Sequence, residues 1–351
     1  MDTEIIKIRN LDSTAKKKLK AAAEVIKNGG LVVFPTETVY GLGADATNET
    51  AVKKIYEAKG RPSDNPLIIH VARPEDAEEY TYTSHVYYRL AEAFMPGPIT
   101  VIMKSKPTIP KKTRGGLDTV AVRCPAEPVA RALIEYSGTP IAAPSANLSG
   151  SPSPTTSAHA IKDMKGRVDV IIDGNDSDFG LESTIVKIED DGSLTLLRPG
   201  KITPADIEAL GIRVNIADAV ISALKEGEVA LSPGMKYRHY APKAPVVLLD
   251  GDADSAISYV RGQGEERVAI ISYFENIEKF KRSLPNAYYY DFGRIGDETE
   301  QAKRLFAILR DADERSFDII YAPLPEKRGI ALALYNRMIR AAAHKIINLR
   351  R

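Results

Sequence analysis

Cysteine occurs once in the 351 residues, at Cys124, and tryptophan not at all. A single thiol excludes an intrachain disulfide framework and a cysteine-rich zinc site. It fits a reducing, cytoplasmic setting. No apolar run is long enough to span a bilayer, and residues 1–10 are mixed and charged, without the apolar core of a signal peptide. The expectation is a cytoplasmic protein with no membrane partner. Excess charge is missing too: Lys plus Arg is 48, Asp plus Glu is 47, and the net charge is +1. No whole-molecule field steers such a chain toward nucleic acid or membrane, although a local basic patch is still allowed. There is no G-x-x-x-x-G-K-[ST] phosphate loop, no kinase motif set, no histidine-rich metal pattern and no G-x-S-x-G elbow. If a nucleotide is handled here, scattered cations and hydroxyls handle it.

What is present is a rhythm of short apolar strands and amphipathic helices. Ser13 is placed to cap a first helix, in which Leu19, Ala22, Ala23 and Ile26 recur at helical spacing, and Gly29-Gly30 ends it. Strands are predicted at 31–34, 67–71, 99–103, 120–122, 141–143, 168–172 and 184–188. A further strand at 194–197 pairs with the last of these across Asp190-Asp191-Gly192. Helices are predicted near 49–58 and 86–94. Crossovers mixed with hairpin-like connections imply a mixed sheet with helices packed on it. Thr203-Pro204-Ala205-Asp206 reads as a helix start, with a cap, a proline at the first helical position and an acid in the first turn. The first domain is therefore placed at 1–205 and a linker at 206–243. From 244 to 351 strands at 246–249, 268–271, 287–290 and 319–321 alternate with helices at 253–261, 277–282, 298–310 and 330–347. That pattern predicts a small parallel α/β domain, Rossmann-like in outline but without the dinucleotide glycine fingerprint.

Polar clusters follow several of these strands. Residues 34–43, Phe-Pro-Thr-Glu-Thr-Val-Tyr-Gly-Leu-Gly, offer hydroxyls beside glycines that permit close backbone approach. Residues 59–66, Lys-Gly-Arg-Pro-Ser-Asp-Asn-Pro, set a compact cation and a planar guanidinium on a loop stiffened by Pro62 and Pro66. Both cations suit phosphate oxygens. His70 shares a strand face with Ile68, and alone it reads as structural. Arg123 closes a strand and needs an anionic partner if buried, either a substrate carboxylate or a structural acid. Cys124 beside it reads as core. Residues 141–150 repeat the theme of strand, proline, then hydroxyl and amide; Ser183-Thr184 and Arg198 add more. Any one of these is an ordinary turn. Their convergence in one domain is what a site assembled from several loops produces.

Taken in order, residues 35–42, Lys59-Gly60-Arg61-Pro62 with Asn65-Pro66-Leu67, Pro144-Ser145-Ala146-Asn147 with Ser149-Gly150, and Ser183-Thr184 resemble the YrdC-like family. Ser232 to Pro242 resembles the interdomain linker of its long, two-domain form. The resemblance implies a YrdC-like twisted mixed sheet with flanking helices, followed by a smaller Rossmann-like parallel α/β domain. It implies a nucleotidyltransferase that converts L-threonine, bicarbonate and ATP into threonylcarbamoyl-adenylate and pyrophosphate, for separate proteins to use in modifying tRNA. Lys59 and Arg61 would be catalytic. Thr38, His70, Arg123, Ala143 and Ser183 would hold threonine. Lys59, Arg61, Asn65, Thr119, Ser145, Ser153, Arg198 and Tyr237 would hold ATP, and magnesium would arrive with the nucleotide rather than on a dedicated protein site. Tyr237 and its linker would cover the pocket. The related hydrogenase maturation factor carries cysteine-rich zinc motifs that a single cysteine cannot supply. The remaining rival is a double-stranded RNA-binding module, since domains of this family present a basic concave face.

Overall fold

The computed structural model describes residues 2–222, 231–232 and 240–350. The linker residues 233–239, with Tyr237 and its expected lid role, lie outside the described residues. The chain divides into two compact units, one of residues 1–149 and 153–236, the other of residues 150–152 and 237–351.

The first unit runs β1 (Glu4–Lys7), α1 (Ser13–Lys27), β2 (Val32–Phe34), β3 (Gly41–Asp45), α2 (Glu49–Lys59), β4 (Ile68–His70), α3 (His85–Phe94), β5 (Ile99–Lys104), β6 (Thr119–Arg123), α4 (Pro128–Ser137), β7 (Ile141–Ala142), α5 (Ser157–Met164), β8 (Val170–Asp173), β9 (Thr184–Ile188), β10 (Leu194–Arg198), α6 (Pro204–Glu208) and β11 (Val214–Ile216). The strands form a mixed sheet in the order β1-β8-β2-β3-β7-β4-β6-β5-β9-β10-β11. β4 lies parallel to β6 and β5 parallel to β9, whereas β5 and β6, β4 and β7, and β9 and β10 are antiparallel. Helices α1 and α4 pack on one face: Leu19, Ala22, Ala23 and Ile26 meet Val129, Ala130 and Leu133 in one apolar core with Phe34 and Ile141.

The mixed sheet and many elements follow the sequence pattern; β1, β11, α4 and α5 have no counterpart in it, and three other local departures have a visible cause. Asp12, not Ser13, caps α1, its side chain accepting from the Ala15 amide at 2.7 Å; an ionised oxygen is the stronger partner for a helix N-terminus. Residues 41–45, expected as loop, form β3, antiparallel to β2. Two glycines hide that strand from any propensity argument. They are there because Gly43 lies against the Phe34 ring and Ile141; a Cβ would come within 2.8 Å of the ring and 2.7 Å of Ile141 Cγ2. The third departure is in the second unit.

That unit runs β12 (Val246–Asp250), α7 (Ala253–Arg261), β13 (Val268–Ser272), α8 (Phe274–Ser283), β14 (Tyr288–Asp291), α9 (Glu298–Arg315), β15 (Ile319–Pro323), α10 (Ala331–Ala341) and β16 (Ile346–Asn348). All of its strand pairs are parallel, in the order β14-β13-β15-β12-β16. This is the expected Rossmann-like domain, with one more strand. Its last helix stops at Ala341 because Ala343 and His344 adopt positive φ, 47° and 62°. The chain turns there, and Ile346–Asn348 pairs with β12 instead of continuing the helix. Among the described residues no helix is long and apolar enough to cross a membrane.

Candidate active site

Register aligns the two central strands of the first unit. Ile68 lies opposite Ala121, and His70 opposite Arg123. Since opposed residues share a face, Ile68, His70, Thr119, Ala121 and Arg123 project to one side. That face also carries a small apolar cluster of Ile68, Ala121, Ile102, Ile185, Leu197 and Ala219. Polar groups gather at both ends of it.

At the C-terminal end of β4 and β6 stand His70 and Arg123, 3% and 4% exposed. Arg123 Nη2 donates to Glu37 Oε1 at 2.6 Å. The structural acid that a buried arginine calls for thus comes from the β2–β3 loop. The loop is pinned: Thr36 Oγ1 donates to the Val39 carbonyl at 2.6 Å and lies 2.9 Å from Thr38 Oγ1, and the Phe179 amide donates to the Glu37 carbonyl. The ion pair is incompletely bonded. Glu37 Oε2 and Arg123 Nε are buried with no hydrogen-bond partner among the described residues. Burial, and next the Arg123 charge, push the His70 imidazole down to about 3. His70 is therefore neutral, with Nδ1 3.2 Å from the Ile68 carbonyl. With the proton on Nδ1, Nε2 is left as an acceptor.

The same end continues into β5, β9 and β10. Ser183 is fully buried; its Oγ lies 2.8 Å from Thr100 Oγ1 and accepts from Arg198 Nη2 at 3.0 Å, while Arg198 Nε donates to the Ser183 carbonyl at 3.0 Å. A bulge between Leu196 and Arg198 brings the guanidinium to this position. Ser153 Oγ donates to Glu182 Oε1 at 2.5 Å. Ala143, just past β7, spends its amide on the Ile68 carbonyl.

The 59–66 loop lies at the other end, leading into the N-terminus of β4. Thr119 begins β6 there, four residues before Arg123, or roughly 13 Å at a strand's rise. Gly60 ends α2 in the left-handed conformation, φ 61°, which glycine adopts without a Cβ penalty. Lys59 is 3% exposed. Its ammonium donates to the Ser145 and Asn147 carbonyls, each at 2.5 Å. The compact cation expected to meet phosphate oxygens here clamps the 144–149 loop, and the Ser149 amide donates to the Lys59 carbonyl. Arg61 is buried within reach of the Pro66 carbonyl. Asn65 is 1% exposed, yet neither polar atom of its amide has a partner among the described residues. Tyr56 Oη holds the Asn65 backbone carbonyl at 2.9 Å and so fixes the residue from behind. Ser145 Oγ donates to Asn147 Oδ1 at 2.5 Å.

The expected residues thus form two groups on one sheet. His70, Arg123, Ser183 and Arg198 gather around the C-terminal ends of β4 and β6, with Thr38 on the β2–β3 loop whose Glu37 pairs with Arg123, whereas Ala143 is level with Ile68, the first residue of β4. Lys59, Arg61, Asn65 and Thr119 lie toward the N-terminal ends, with Ser145 joined to them through Lys59. Tyr237 lies outside the described residues. Sequence reasoning passed over Glu37, Asn147, Glu182 and Thr100 as site members; each is the partner of an expected residue, a relation that no spacing along the chain reveals. Cys124 is core, as read, its thiol pushed up to about 12 by burial.

Residues 24–200 match the model of the Sua5/YciO/YrdC (telomere recombination) family. The chain belongs to this family. Residues 202–343 match a second model, threonylcarbamoyl-AMP synthase, C-terminal domain. The threonylcarbamoyl-AMP synthase of Pyrococcus abyssi is 42% identical over 99% of this chain and 100% of its own length. That of Bacillus subtilis is 41% identical over 95% of this chain and 96% of its own. Among solved structures, P. abyssi Sua5 complexed with L-threonine superposes with a TM-score of 0.88 at 40% identity, covering both chains fully. The likeness therefore extends over both units.

Proposed function

We propose that the chain is a nucleotidyltransferase that makes L-threonylcarbamoyl-AMP from L-threonine, bicarbonate and ATP, with release of pyrophosphate. The full-length identity to the P. abyssi synthase, 42% over 99% of the chain, carries this reading. The geometry supports it. Arg123, in a buried setting, suits the amino-acid carboxylate. Neutral His70 and the hydroxyls of Thr38 and Ser183 suit the threonine side chain and amine. Arg61, Asn65 and Thr119 lie a strand's length away, where the nucleotide would run.

In the proposed reaction an oxygen of the N-carboxylated threonine attacks the α-phosphorus, and the bond to pyrophosphate breaks. The protein's task is to orient the two substrates and offset growing negative charge. Arg61 and Arg198 would do the latter, and Lys59 would shape the loop carrying Ser145. Among the described residues no group of three His, Cys, Asp or Glu side chains is placed to hold a metal ion. Magnesium would come on the phosphate oxygens of ATP, a setting that asks for few dedicated protein ligands. The product would serve a separate transferase that modifies tRNA in the cytoplasm. Pyrophosphate release from ATP should require threonine and bicarbonate together; release that ignores either overturns the proposal.

A further inference from the structure

Every buried charge needs a partner, and partial pairing leaves a mark. In the Glu37–Arg123 pair that mark falls on both members. Oε1 of Glu37 meets Nη2 of Arg123 at 2.6 Å. Oε2 and Nε, equally buried, meet nothing among the described residues. Glu37 itself is only 9% exposed. The arrangement is costly unless a ligand completes it. A lone carboxylate would satisfy Arg123 while competing with Glu37 for it, leaving the acid with excess negative charge. A zwitterion avoids that conflict, because it brings one charge of each sign.

We propose that Glu37 is a specificity residue whose Oε2 accepts a hydrogen bond from the α-amino group of the amino-acid substrate, while Arg123 takes its carboxylate. The inference rests on the threonine reading above and deepens it. The loop geometry serves this role: the Thr36 hydroxyl bonds and the Phe179 amide fix the backbone on both sides of Glu37, so the carboxylate is preorganised. Selection for the amino group matters chemically, since only a nitrogen at that position can be carboxylated to the carbamate. An α-hydroxy acid of the same shape would bind without being a substrate unless something rejected it.

The test is equilibrium binding by calorimetry on the full chain, with L-threonine and with its α-hydroxy analogue, in which oxygen replaces the amino nitrogen. Wild type should bind threonine about ten- to a hundredfold more tightly than the analogue, the value of one charge-assisted hydrogen bond. Glu37→Gln keeps an oxygen for Arg123 and replaces Oε2 by a donor. It should lose a similar factor for threonine and little for the analogue. Equal affinity of wild type for both ligands overturns the proposal without any variant. So does a folded Glu37→Gln protein, checked by its melting curve, that keeps wild-type threonine affinity. Wild type with no affinity for threonine at all overturns the functional reading, and this inference with it.

Discussion

Lys59 holds Asn147 twice, through its backbone carbonyl at 2.5 Å and its side-chain oxygen at 3.4 Å. Together with the bond to the Ser145 carbonyl, this makes a buried ammonium the knot between the end of α2 and the loop after β7. Lys59→Met keeps most of the stem but removes the buried donor to the Ser145 and Asn147 carbonyls. A buried carbonyl left without its donor costs about 1–3 kcal/mol. Urea unfolding should therefore show a loss of about 2 kcal/mol or more, together with a fall in activity. An equally stable but inactive Lys59→Met protein would instead place Lys59 on the substrate.

Arg123 and Glu37 make the reverse case. Their side chains are 5% and 10% exposed, so removing one partner strands a charge. Arg123→Met should cost about 3–5 kcal/mol, whereas the double variant Glu37→Met/Arg123→Met should recover most of that, as paired apolar replacements of buried ion pairs often do. Activity should be absent from both. Chemical denaturation of the single and double variants checks the first statement and pyrophosphate release the second. A double variant no more stable than Arg123→Met would mean that the pair is needed for folding as well as for the reaction.

These two pairs also mark how far the chain could be read from its letters. The mixed sheet, the parallel second unit and the cap at Thr203 were legible because periodicity and capping are local; the Thr203 and Asp206 side chains do form the reciprocal box. Arg123 could be read as needing an anion, but Glu37 is 86 residues away, and only the sheet order brings the β2–β3 loop to the end of β6. The clamp made by Lys59 was hidden for a related reason. Next to Gly60 and Arg61 the lysine reads as one of two cations suited to phosphate, and nothing nearby announces that two carbonyls beyond position 144 will accept from it. β3 escaped because its glycines answer to the Phe34 ring, a tertiary demand that overrides strand propensity.

His70 should shape the acid limb of stability. Burial lowers its pKa to about 3, against about 6.5 in an unfolded chain. Below 6.5 the unfolded chain takes up a proton that the native protein refuses, so stability falls as pH falls toward 3, by up to about 1.4 kcal/mol per pH unit. Above 6.5 the effect is absent. Glu127, raised to about 7 mainly by burial, works in the opposite sense: native protein keeps a proton that the unfolded chain loses, and stability declines as pH rises from about 4.5 to 7. The clean measurement is therefore the difference between wild type and His70→Asn. It should be flat above pH 7 and shift in favour of the variant as pH drops from 6.5. A difference independent of pH would mean that His70 is not buried as a neutral base.

Asn65 offers the sharpest separation of stability from function. Its amide is 1% exposed and unpartnered among the described residues, a state that costs folding free energy without return in the ligand-free protein. Tyr56 holds the Asn65 backbone, not its side chain, so a change at the amide should not loosen the loop. Leucine is close to asparagine in reach and carries no polar atom to desolvate. Asn65→Leu should therefore unfold no more easily than wild type, and the removal of one buried orphan amide predicts a gain of about 1 kcal/mol. If the amide is kept for the nucleotide, the same variant should raise the KM for ATP about tenfold or more, one or two hydrogen bonds' worth, with the affinity for threonine unchanged. Urea titration, ATP-dependent rates and threonine calorimetry on a single preparation decide the matter. A variant less stable than wild type with an unaltered KM for ATP would assign Asn65 to the fold and remove it from the nucleotide site.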